Sequence, residues 1–207
     1  VEVDDFGAKK QFSLLFGNNP TPKLDAYIFK DGILTESHED LTGNNGIYNL
    51  SLTQKNGTLY ILGNTTGARI TEAEIQTEET FKKLTLASSE NPLPMFFTGQ
   101  VALSGQIGNT VPLTVKRGLA RIDFRTKVSS GDILVTDFII KNASQETFIL
   151  PQPTIQTPEG AEKKDVVLQF DKGLEHDSTG ILYLYEQYNP DLKVYLRAEI
   201  DLSLIHI

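Results

Sequence analysis

The sequence predicts an all-β protein, one or two β-sandwiches with a single short helix, and three observations carry that prediction. Period-two alternation of apolar and polar residues dominates the chain, which is the signature of strands with one buried face. Turn-forming residues punctuate the alternating runs at short intervals. The 207 residues are 39% hydrophobic, enough to build the core of one large or two ordinary domains without covalent staples.

Taken in order, residues 11–16 read as the first strand, followed by 23–30 (KLDAYIFK), in which Leu24, Ala26 and Ile28 oppose Asp25, Tyr27 and Phe29. Both faces are partly apolar, as suits a sandwich strand. Asp31-Gly32 then offers a tight turn before Ile33-Leu34. Strands at 47–52 and 58–62 flank Asn56-Gly57, the strongest short hairpin signal in the chain. Residues 71–86 predict a short helix on a sheet edge, with Thr71 and Glu74 as a capping box and Ile75, Phe81 and Leu84 as a partial apolar stripe. Strands resume at 93–103 and 111–115. At Arg117-Gly118 the alternation slips by one residue, so that Ala120, Ile122 and Phe124 become the apolar set, and a bulge or a domain junction is expected there. Further strands follow at 133–141, 166–170, 181–186 and 194–200. In the last, Val194, Leu196, Ala198 and Ile200 alternate with Tyr195, Arg197, Glu199 and Asp201. Pro151, Pro153, Pro158 and Gly160 mark a long loop.

Composition narrows the functional classes. Nineteen Lys and Arg against 27 Asp and Glu give a net charge of -8, which repels a phosphate backbone, so no nucleic-acid partner is expected. The absence of Cys excludes disulfides, thiolate metal sites and Cys nucleophiles. No apolar run approaches the roughly 18 residues of a spanning helix. The chain opens at Val1 with neither Met nor a signal peptide, and that start reads as mature or truncated. Residues 202–207 read as the translation of a sequencing-library adapter, so His206 is set aside and the native chain is expected to run on past Asp201.

No set of residues assembles into a reactive centre, and no catalytic, metal-ligating or cofactor-binding residue is assigned. His38-Glu39-Asp40 could bind a cation, but reads as a solvated charge cluster in a polar loop. His38 and His176 lie far apart in sequence. A nucleophile elbow is absent, and the Gly17 to Lys23 segment lacks the Gly before Lys that a phosphate cradle needs. The acidic pairs Asp4-Asp5, Glu39-Asp40 and Glu78-Glu79 read as surface carboxylates. Four Asn-x-Ser/Thr triplets, at Asn49, Asn56, Asn64 and Asn142, read as chance.

Residues 112–124, PLTVKRGLARIDF, resemble the pattern by which the Bacteroidales fimbrillin superfamily opens its second domain, carried by Arg117, Ala120 and Arg121. DAYIFKDG at 25–32, LYILGN at 59–64, LPM at 93–95 and YLYEQ at 183–187 are similar to further family segments, in the same order. The resemblance implies type V pilus subunits of shaft, tip or anchor type. It implies two transthyretin-like β-sandwiches, here residues 1–117 and 118–201, with the second incomplete at about four strands of seven. It further implies an exported lipoprotein precursor, an outer-membrane or fimbrial location, adhesion as the role, and other fimbrial subunits as partners through β-strand addition. No cofactor or enzymatic activity is implied. The lipid-bearing Cys would lie upstream of residue 1 and the donor strand downstream of Asp201. An open sheet edge in the second domain makes a chain ending at Asp201 an aggregation liability. Lys9-Lys10, just ahead of the first strand, reads as a solvated dibasic loop, with a trypsin-like processing site as the functional alternative. Asp177-Ser178-Thr179 resembles the O-glycosylation motif of exported Bacteroidales proteins, with Ser178 as acceptor. The alternative function is a surface glycan-binding β-sandwich lipoprotein, which would need exposed Tyr or Phe because the chain has no Trp.

Overall fold

A computed structural model describes residues 9–13, 23–44, 47–65, 75–88, 95–104, 113–125, 133–174 and 179–200. The protein is all-β, built from antiparallel sheets, and its contacts divide it into two compact units.

Unit 1 gathers Val1–Leu86, Met95–Gly118 and Phe148–Gln152. Its strands are β1 (Lys9–Ser13), β2 (Leu24–Lys30), β3 (Ile33–Leu41), β4 (Ile47–Ser51), β5 (Gly57–Gly63), β6 (Thr85–Ala87, at the unit boundary), β7 (Phe97–Leu103) and β8 (Val115–Arg117), with the helix α1 (Glu78–Phe81). A five-stranded sheet in the order β3-β2-β5-β7-β8 faces the β1-β4 pair. Alternation puts Ala26 and Ile28 of β2 and Leu59 and Ile61 of β5 on the inner face, where they pack with Tyr48 and Leu50 of β4. Tyr27, Phe29 and Tyr60 point the other way and are equally buried, at 1–2% exposure, because the ring of Phe81 sits 4.8–5.2 Å from each of theirs. These spacings lie within the favourable range for tilted aromatic pairs.

The helix differs from the expectation in its extent. It spans four residues, and its N-cap Thr77 bridges Ile33 at the β3 edge, as an edge position requires, while Phe81 reaches over the outer face of β2 and β5. Thr71 and Glu74 fall outside the described residues. One apolar anchor fits an aromatic socket, and main-chain bonds from Glu78 N to Gly32 O (2.9 Å) and Leu34 N to Gln76 O (3.2 Å) fix the segment to the β2-β3 hairpin. The Asp31-Gly32 turn of that hairpin is present, with positive φ at both residues.

Two other local readings are corrected. Asn56-Gly57 does not join a hairpin, since β4 pairs with β1 while β5 pairs with β2 and β7. Gly57 is needed for another reason: at φ +114 its Cα passes so close to β2 that an added Cβ would stand 2.0 Å from the Phe29 carbonyl oxygen. His38, Glu39 and Asp40 are not in a loop but on β3, an edge strand of the five-stranded sheet among the described residues.

Unit 2 gathers Ala87–Pro94, Leu119–Thr147 and Pro153–Ile207. Its strands are β9 (Leu119–Arg125), β10 (Ile133–Ser144), β11 (Glu146–Phe148, at the unit boundary), β12 (Lys163–Leu174), β13 (Thr179–Tyr185) and β14 (Lys193–Ile200). A β12-β10-β14 sheet and a β13-β9 pair enclose one core of Phe138, Ile140, Ala143, Leu182 and Leu184, joined by Ile122, Phe124, Val166, Leu168 and Phe170. Phe124 is its hub, 4.4 Å from Phe138 and 6.2 Å from Phe170 between ring centroids.

Candidate functional site

Among the described residues, an inward-facing strip of unit 2 is bare. Strand β14 pairs with β10 in antiparallel register, Val194 opposite Ile140 and Leu196 opposite Phe138. Residues directly opposite one another in such a ladder point to the same face. Ile140 and Phe138 are buried in the core, at 0% and 6% exposure, so Val194 and Leu196 face the same way, yet they are 58% and 56% exposed. No β14 residue joins the core cluster. The alternation read from the sequence is therefore real, and nothing among the described residues covers it. The far edge of β14 also has no strand beside it among the described residues.

The strand is nevertheless firmly placed. A register shift between Val135 and Asp137 marks a bulge at Thr136. There the Asp137 carboxylate, only 6% exposed, accepts from the Thr136 hydroxyl at 2.8 Å and pairs with Arg197 of β14 at 3.3 Å. The Thr136 hydroxyl also reaches Arg197 O. At the other end, Asn142 Nδ2 donates to Asp191 O, and Asn189 Nδ2 donates to Asn142 O. On the outer face Lys141 lies over the Tyr195 ring, 5.5 Å from its centroid. Such an edge combines main-chain groups open to a further strand with apolar side chains repeating every second residue.

The residues picked out by sequence are dispersed. Arg117 ends β8, opposite Phe97, and is exposed. Ala120 stands opposite Leu184 on the core side of β9, while Arg121 projects outward and binds Asp123 at 2.7 Å. Between them Gly118 N donates to Phe96 O, and a Cβ there would stand 1.8 Å from the Phe96 ring. Lys9 and Lys10 lie inside β1, paired with Ser51 and Leu50, rather than ahead of the first strand as expected. Cleavage at that pair requires β1 to leave β4, because a protease needs the main chain free of its ladder. Ser178, His176 and the Asp4-Asp5 pair lie outside the described residues.

The carboxylate pairs serve local contacts. Glu78 and Glu79 bind Lys82 and Lys83 one turn on, and Asp40 binds Lys23. Tyr60 donates to Glu78, and its hydroxyl pKa is pushed up to about 12, first by burial and then by that carboxylate. Glu36, which sequence reading passed over, is a heavily bonded acid. It accepts from Thr53 N, Thr53 Oγ1 and Gln54 N at 2.7–3.1 Å and meets His38 Nε2 at 2.7 Å, tying β3 to the segment after β4. Burial alone would raise its pKa, but the bonds from Gln54, His38 and Thr53 outweigh burial and hold it below the usual value. Among the described residues no three His, Cys, Asp or Glu side chains gather as a metal-binding group. The exposed aromatics among them, Tyr188 and Tyr195, do not form a stacking platform by adjacency in one strand, and the Tyr195 ring already carries Lys141. No helix among the described residues is long and apolar enough to cross a membrane.

No family model matches the chain, and no curated protein does. Among the solved structures that share its fold are two from Bacteroidetes. One is a "putative cell adhesion protein" from Bacteroides eggerthii DSM 20697, with a TM-score of 0.60 at 13% identity over 97% of this chain and 78% of that one. The other bears the same description and comes from Parabacteroides distasonis ATCC 8503, with a TM-score of 0.60 at 14% identity over 93% of this chain and 75% of that one. The chain thus has the all-β fold of two Bacteroidetes proteins whose descriptions refer to cell adhesion.

Proposed function

We propose that this protein is a fimbrillin-type surface subunit, exported and non-enzymatic, that acts in adhesion and assembles by accepting an extended strand from a neighbouring subunit along β14. The observation that carries the reading is the Val194-Leu196 strip, aligned with the buried Ile140 and Phe138 yet more than half exposed. An added strand would bond to the β14 main chain and lay alternate apolar side chains over the strip, giving affinity through the ladder and register through the side chains. The fold likeness to the two cell adhesion proteins and the sequence resemblance at Arg117, Ala120 and Arg121 support the same assignment. Lipid anchoring upstream of residue 1 and processing at Lys9-Lys10 belong to the proposal as the route by which such a subunit reaches the outer membrane and matures.

A photo-crosslinking residue placed at Leu196 in the producing bacterium tests the assembly step. The expected product is a ladder of crosslinked subunits, lost when Val194 and Lys193 are replaced by Asp and Pro. A uniformly monomeric product, with surface fibres unchanged in the Val194→Asp, Leu196→Asp variant, would overturn it.

A further inference from the structure

A second site lies in unit 1, on the outer face of the five-stranded sheet. Thr98 of β7 stands opposite Lys116 of β8, and the same register continued by two residues sets Gln100 opposite Thr114. Opposite residues share a face, as do residues two apart along a strand, so these four polar side chains form a square on one surface. That surface is the one Tyr60 and Leu62 of β5 occupy, since Gln100 and Thr98 of β7 are their partners in the ladder. Leu150 and Pro151 wall the square, and together with Gly99 the six residues line a cavity of about 380 Å³.

The wall is held in place by its own bonds. Ile149 N donates to Leu84 O at 2.9 Å, and Gln152 Nε2 donates to Lys82 O at 2.8 Å. The cavity is thus bounded on one side by a sheet and on the other by a tied segment. Its volume falls at the small end of the range of about 300–1,000 Å³ seen for small-molecule sites. That accommodates a single sugar ring with its substituents rather than an oligosaccharide.

The lining sets the ligand class. Two hydroxyls and a primary amide can each donate and accept, matching a ligand with several hydroxyl groups. Lys116 is the one cation of the lining and has no ion-pair partner among the described residues, so it suits one carboxylate. Leu150 and Pro151 offer a small apolar patch, and no aromatic ring is present for stacking. We propose that this cavity binds a monosaccharide carrying a single carboxylate, a sugar acid, with Lys116 on the carboxylate and Thr98, Gln100 and Thr114 on the ring hydroxyls. The proposal goes beyond strand addition and does not rest on it, because β14 belongs to unit 2.

Titration of the full chain with D-glucuronate, followed by amide NMR, tests it. Saturable shifts of Thr98, Gly99 and Thr114, with a dissociation constant on the order of millimolar, are expected. D-glucose and acetate, which each supply half of the chemistry, are expected to bind several-fold more weakly. Lys116→Met, at an exposed position, is expected to weaken D-glucuronate about tenfold, the usual worth of one charge-assisted hydrogen bond, while amide shifts remote from the cavity stay in place and certify the fold. Absence of saturable shifts, equal binding of D-glucose or acetate, or unchanged affinity in Lys116→Met would each overturn the assignment.

Discussion

Units 1 and 2 solve the same packing problem to different degrees. In unit 1 the central strands are covered twice, by Tyr48 and Leu50 on the inner face and by Phe81 on the outer, so that β2 has apolar side chains buried on both sides. In unit 2 the central strand β10 is buried, but its neighbour β14 carries the same alternation with its inward residues exposed. The difference teaches that period-two patterning specifies a face meant for burial, and only the surrounding layer decides whether burial is achieved within the chain. Among the described residues, the inner strip of β14 is an apolar face of unit 2 left uncovered.

The largest expected effect is on the outer cover of unit 1. Phe81→Ala removes the ring shared by Tyr27, Phe29 and Tyr60, and a buried Phe→Ala change costs about 3–5 kcal/mol. Hydrogen exchange at the β2 and β5 amides should accelerate accordingly, with the β10 and β12 amides unaffected. Equal acceleration in both units would break the comparison by showing that they unfold together. A smaller effect is expected at Gly118→Ala, where the new methyl collides with the fully buried Phe96 ring. Overpacking of this kind costs about 1–3 kcal/mol, and Phe96→Leu introduced with it should recover part of the loss in thermal melts.

The units also differ in how their ends are tied, and pH exposes this. Unit 1 uses the ionised Glu36 to hold Thr53 and Gln54, with His38 beside it and the exposed Glu39 and Asp40 further along β3. Around Ser144 unit 2 uses neutral amides, Gln187 accepting from Ser144 N and Asn189 donating to Asn142 O, whereas its carboxylate tie, Asp137 with Arg197, stands toward the other end of β10. The folded pKa of Glu36 is lowered, so its contribution is present above the unfolded carboxylate value and is lost as pH falls through the lower folded value. Acidification through that window, or Glu36→Ala at neutral pH, should weaken unit 1 by on the order of 1 kcal/mol, the worth of backbone donors left without an acceptor at a partly wet site. Amide exchange at Thr53 and Gln54 against Ser144, followed down a pH series after correction for intrinsic rates, reads the contrast directly.

Much of this was legible in the residues. Strands β2, β5, β10 and β14 follow their alternation, and Asp31-Gly32 makes the turn its chemistry favours. Turn chemistry failed at Asn56-Gly57 because pairing is decided by the layers: β4 finds β1, and β5 fills the gap between β2 and β7. His38 to Asp40 looked like a loop because both sides of β3 are polar, and edge strands tolerate that. The candidate site was half visible. The apolar repeat of Val194 and Leu196 could be read from spacing, whereas their exposure depends on how far the β13-β9 layer extends, which no local pattern encodes. Glu36 left little sequence signal, since apart from His38 its partners lie 17 and 18 residues away on a different layer.

The smallest expected effect is the most discriminating. Leu196 and Phe138 are opposite one another on the same face of adjacent strands, and differ in that one is 56% exposed and the other 6%. Leu196→Thr introduces a β-branched residue suited to a strand and removes apolar surface that water already reaches, so the isolated protein should change by within about 0.5 kcal/mol. Phe138→Ala, by contrast, should cost about 3–5 kcal/mol. In the strand-added state the ranking changes: Leu196 would then be buried, and its truncation should weaken assembly while leaving the subunit's own melting untouched. A loss of about 2–5 kcal/mol for Leu196→Thr in the isolated chain, the figure for a buried Leu, would mean that the strip is already covered, and the contrast between the two units would vanish with it.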